Sequence, residues 1–82
     1  MDFSSFVLSL ATTGMVHLGE IVDTAVGQKR ENLDGAKQLI EILALLKEKT
    51  EGNLSAEEAQ LLEGLLHELR LSFLGKTKTI QL

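Results

Sequence analysis

The sequence predicts an all-α fold: three helices in one small domain, assembled into an oligomeric helical bundle. Three observations predict it. The 82 residues contain no Pro and are rich in Leu, Ala, Glu and Lys, a helical composition. Two long segments repeat their apolar residues with a helical period. The opening segment, from Phe3 to Gly19, has no Asp, Glu, Lys or Arg at all. A chain this short has little with which to cover so apolar a helix, and domains of this size have marginal cores. Without Cys, neither disulfides nor thiolate zinc sites can strengthen it. Oligomerisation is the remedy left.

Helix 1 is predicted from Phe3 to Leu18, with Asp2 as N-cap. At 100° per residue, one face holds Phe3, Phe6, Val7, Leu10, Gly14 and Leu18. Leu8 and Met15 widen it. What remains is Ser5, Ser9, Thr12, Thr13 and Val16, small and neutral where a solvent face normally carries charge. Small residues let helix backbones approach closely. The predicted interface is therefore Ser5, Leu8, Ser9, Thr12, Thr13, Met15 and Val16, meeting a second copy of the chain or an unknown protein partner.

A loop from Gly19 to Glu31 follows, holding Asp23, Gly27, Lys29 and Arg30. Helix 2 starts after the N-cap Asn32 and runs to about Thr50, with Gly52 as its left-handed stop. Its apolar arc holds Leu33, Ala36, Leu39, Ile40, Leu43 and Leu46, widened by Ile42; Leu45 is apolar on the charged side. Helix 3 starts after Ser55. Ser55 and Glu58 form a capping box, and Leu54 begins a hydrophobic staple. Its arc holds Ala59, Leu62, Leu65, Leu66, Leu69 and Phe73. It is expected to end near Leu74, with Gly75 as the stop. The short connection from Glu51 to Leu54 makes helices 2 and 3 an antiparallel hairpin, with helix 1 packed across it. The domain is thus 1–75. Residues 76–82 form a tail, read either as a frayed terminus or as an extended arm pairing with another chain.

The chemistry is sparse. A net charge of −4 disfavours nucleic acid, which needs a basic surface. A membrane span needs about 20 strongly apolar residues, and the charge-free segment is shorter and contains hydroxyls and His17. An interfacial helix would carry Lys or Arg on its polar face, and this one has none; a membrane-associated subunit with helix 1 at the bilayer stays as a third functional reading. Lys76 and Thr77 after Gly75 resemble the end of a phosphate loop, but Arg70 stands where its first Gly belongs. His17 and Glu20 offer two metal or small-ligand donors, with His67 as a further candidate; a buried His bonded to a backbone carbonyl is the plainer reading of His17. Around His67 the di-iron pattern fails at Gly64 and the zinc-protease pattern at Leu71. Glu63 and His67 read as a solvent-facing pair. Lys29 and Arg30 read as solvated loop. No hydroxyl sits beside a base on a rigid turn, so nucleophilic catalysis has no candidate residue. No catalytic residue, metal or cofactor is predicted. The first functional reading is a non-enzymatic assembly or interaction module of the cytoplasm.

The run from Phe3 to Thr13, continued by Val16-His17-Leu18-Gly19-Glu20-Ile21, resembles the opening of the bacterial domain-of-unknown-function family 1844. The likeness continues in Asn32-Leu33, Ala36-Lys37-Gln38-Leu39-Ile40, Leu43, Glu48-Lys49-Thr50, Gly52-Asn53-Leu54, Leu65-Leu66 and Glu68-Leu69-Arg70. Val22 departs from an expected Pro, and Gly14 and Gly64 from better helix formers. The resemblance implies a small helical protein and carries over no catalytic residue.

Overall fold

A computed structural model describes residues 1–78 and shows three helices, α1 (Phe3–His17), α2 (Leu33–Lys49) and α3 (Ala56–Thr77). Each starts at its predicted cap. The Asp2 carboxylate accepts from Ser5 N–H at 2.7 Å. That hydrogen bond to the charged form holds the Asp2 carboxyl below its ordinary pKa. The Asn32 side chain accepts from Gly35 N–H at 3.0 Å. At α3 both halves of the capping box are made: Ser55 Oγ accepts from Glu58 N–H at 3.1 Å, and Glu58 Oε1 accepts from Ser55 N–H at 2.9 Å.

The three helices pack on one another pairwise around a single cluster of Val7, Ala11, Leu18, Ala36, Leu43, Leu62, Leu66 and Leu69. Leu54 packs against it from the turn before α3. His17 O accepts from Asn32 N–H at 2.7 Å, so α2 starts beside the end of α1 and runs antiparallel to it. Gly14, late in α1, meets Leu69, late in α3, so these two run parallel. The predicted hairpin of α2 and α3 is present, and Lys47 pairs with Glu63 across it at 3.0 Å. Glu63 therefore reaches α2 and not His67, the pairing the sequence suggests.

Two other expectations change. Phe6, placed on the apolar face of helix 1, is 38% exposed, and Ala11 takes its place in the core. The buried row is Val7, Ala11, Gly14 and Leu18, spaced i, i+4, i+7 and i+11. Its centre is small because α1 lies close to both neighbours. A Cβ built on Gly14 would stand 3.2 Å from Leu69 Cδ2 and 3.6 Å from Leu39 Cβ. Gly14, which loses about 1 kcal/mol of helix propensity relative to Ala, is the residue that allows this approach.

The second change is at the end of α3. Gly75 does not stop the helix, which continues through Thr77; Lys78 N–H bonds Leu74 O at 2.8 Å. Lys76 sits in this extra turn and reaches Glu31 at 3.3 Å. The start of the predicted tail is thus helical, and its remainder, Thr79 to Leu82, lies outside the described residues.

The connection from Gly19 to Glu31 folds back on itself. Leu18 pairs with Glu31 and Asp23 with Gln28 as antiparallel bridges. Asp23 Oδ1 accepts from Ala25 N–H at 2.9 Å, and Asp23 O from Gly27 N–H at 2.8 Å. Gly19 and Gly27 take the positive φ these reversals require, 78° and 70°.

Gly64, by contrast, has ordinary helical φ in the middle of α3, and a Cβ there would meet nothing within 4 Å. Gly64→Ala is expected to stabilise the fold by about 0.5–1 kcal/mol. A thermal scan should show Tm rising by several degrees; an unchanged or lower Tm would contradict the open surroundings of this position.

Candidate functional site

The surface with most to explain is the outer side of α1. Of the seven residues predicted to form an interface, Ser5, Leu8, Ser9, Thr12 and Thr13 are exposed, Leu8 at 46%. Val16 and Met15 are half-buried. Met15 packs against the core and lines a cleft with Glu20, Glu68, Leu71 and Ser72. Val16 lines another with His17, Asp23, Arg30, Glu31 and Asn32.

Three of the four hydroxyls of this side, those of Ser9, Thr12 and Thr13, are turned inward. Ser9 Oγ donates to Phe6 O at 2.9 Å, Thr12 Oγ1 to Leu8 O at 2.8 Å, and Thr13 Oγ1 to Ser9 O at 3.1 Å. Each donor is met within its own helix, as is usual for Ser and Thr in mid-helix. Apart from the Ser5 hydroxyl, the face then offers water little beyond methyl groups, methylenes and acceptor lone pairs. Phe6 and Leu8 stand on either side of the small residues.

The proposed ligand pair does not converge. His17 faces the start of α2, where its ring lies beside Gly35, whereas Glu20 accepts from Ser72 Oγ of α3 at 3.0 Å. They line different clefts. His67 is exposed on α3. Among the described residues no group of three or more His, Cys, Asp or Glu lies close enough to hold a metal. The plainer reading of His17, a buried ring bonded to a backbone carbonyl, is not met either: the residue is half-buried, and among the described residues its ring makes no hydrogen bond.

A cleft of about 440 Å³ lies where α2 turns into α3, lined by Lys47, Glu48, Thr50, Leu54, Leu62 and Glu63 among others. Its hydroxyl is occupied, since Thr50 Oγ1 donates to Leu46 O at 2.6 Å. Lys47 and Glu63 neutralise each other there. Glu48 and Glu51 add two further carboxylates to its lining. Among the described residues no helix is long and apolar enough to cross a membrane.

The loop's Lys29 and Arg30 are exposed, and neither makes an ion pair with a described residue. The same loop exposes Ile21, Val22 and Val26 at 41–44%. Sequence reasoning passed over these three, because isolated aliphatic residues in a loop carry no periodic signal.

No curated protein and no solved structure matches the chain. A family does. The family described as "Domain of unknown function (DUF1844)" matches residues 1–75. That span takes in all three helices up to the last turn of α3, together with every residue on which the sequence resemblance rests. With nearly the whole chain matched, this protein belongs to the DUF1844 family.

Proposed function

We propose that this chain is a non-enzymatic assembly module of the bacterial cytoplasm, associating with a second copy of itself through the outer face of α1. The observation that carries the proposal is that face itself: exposed, free of charge, with the hydroxyl donors of Ser9, Thr12 and Thr13 already bonded inside the helix. A face that makes few bonds to water loses few when covered.

The charge pattern supports a second copy. A two-fold contact places a patch against the same patch. In a chain with 12 acidic and 8 basic residues, most patches would then meet with like charge. The uncharged side of α1 avoids that repulsion.

Sedimentation velocity tests this. The wild-type chain is expected to sediment as a dimer or higher oligomer, and Ser9→Glu and Thr12→Glu as monomers of unchanged helicity. Each variant buries an unpaired charge in the contact, a loss of about 3–5 kcal/mol. A wild-type chain that remains monomeric at high concentration would overturn the proposal.

A further inference from the structure

The outer face of α1 is too small to hold two copies together alone. Fifteen residues make a helix about 22 Å long and 10 Å across. Its outward side therefore offers a few hundred Å² at most, against roughly 800 Å² per partner in a stable interface. We infer that the second copy covers a wider face, running from α1 across both of its seams to Ile42 of α2 and Leu61 of α3. The inference rests on the assembly reading above and says which further surface the partner copy must take.

Helix geometry places these residues. A Cβ built on Gly35 would lie 3.1 Å from the His17 ring, so Gly35 marks the row of α2 that faces α1. Ile42 is seven residues further along that row, two turns on, and is 42% exposed. On α3, Ser72 donates to Glu20 just beyond the end of α1 and lines the cleft with Met15. Leu61 is eleven residues earlier on the same row, at the helical spacing of three turns. It is half-buried, yet absent from the side chains packed on the core. Phe6 and Leu8 lie between the two, one toward each seam, at 38% and 46% exposure.

The rest of the bundle is sorted the other way. Lys47 and Glu63 close the seam between α2 and α3. The same helical count turns Lys37 and Arg70 toward that side, away from α1. On the α1 side, Lys49, Glu57 and Glu68 stand at the edges, with Glu20 beside Glu68 at the cleft that Met15 lines, all four exposed. This leaves an apolar centre with a charged rim, the anatomy of a protein interface. A second copy is the occupant that fits, because the uncharged centre is where a chain of net charge −4 meets itself with least repulsion.

Sedimentation velocity across a concentration series, on Ile42→Glu and Leu61→Glu separately, tests the wider face. Gln60→Glu serves as control; it adds the same charge one residue from Leu61 but about 100° around the helix. Ile42→Glu and Leu61→Glu are expected to raise the dissociation constant at least tenfold, and Gln60→Glu to leave it within twofold. Circular dichroism checks the fold, and if Leu61→Glu melts, the exposed Ile42 decides alone. If Ser9→Glu separates the copies while Ile42→Glu leaves them associated, the wider face is wrong and the α1 contact stands. A monomeric wild type overturns both.

Discussion

Leu62→Ala is expected to lower the stability of the fold by about 2–5 kcal/mol, read as a fall in the urea midpoint at fixed protein concentration. Leu62 is fully buried and belongs to the cluster that all three helices share. Truncation removes most of a side chain's transfer free energy and leaves a cavity that rigid helices close only in part. A domain of 82 residues holds roughly 4–12 kcal/mol in total. The loss is therefore a large fraction of what keeps it folded, and a population of unfolded chain should be visible at modest temperature. Leu45→Ala is the comparison: at 53% exposure it should shift stability by about 0.5 kcal/mol or less. Equal effects at the two positions would mean that Leu62 does not belong to the core.

Gly14→Leu should be nearly as damaging, for the opposite reason. The position is buried, and the first added carbon already stands 3.2 Å from Leu69. A leucine side chain has nowhere to go without prying α1 from α3, a loss of about 1–3 kcal/mol for an overpacked core. Gly14→Ala separates space from backbone. It gains about 1 kcal/mol of helix propensity, is crowded only by the flexible end of Leu69, and meets Leu39 Cβ at an ordinary 3.6 Å, so it should remain within about 1 kcal/mol of the wild type. Urea unfolding of the two variants side by side decides the matter. If leucine is tolerated as well as alanine, the close crossing of α1 and α3 is wrong.

What was legible in the sequence follows from how local each determinant is. The starts of all three helices were readable because a cap acts over three residues: Asp2 to Ser5, Asn32 to Gly35, Ser55 to Glu58. The arcs of α2 and α3 were readable because their charged sides left one direction for the core. In α1 no charged side exists, so hydrophobic weight alone pointed toward Phe6. The actual orientation was decided by where Ala11 and Gly14 let two other helices approach, which no single-helix projection contains. The end of α3 failed similarly. Gly75 is a stop signal only when the chain has no reason to continue, and here Lys76 finds Glu31 in the loop after α1. As for the site, the exposure of Ser5, Ser9, Thr12 and Thr13 was readable from their separation from the apolar arc, whereas Leu8, read as widening that arc, is 46% exposed. The inward turn of Met15 was not, because it depends on α3.

The pinch at the foot of the loop between α1 and α2 has a mechanical meaning. Leu18 against Glu31, reinforced by the bond from Asn32 N–H to His17 O, joins the two stems before the chain wanders outward. Past the second bridge, Asp23 against Gln28, residues 24–27 make no hydrogen bond or ion pair to a helix among the described residues, so the bundle does not depend on this tip. Residues 24–27 form a permissive handle, where a peptide epitope or a fluorophore can be grafted without disturbing the scaffold beneath.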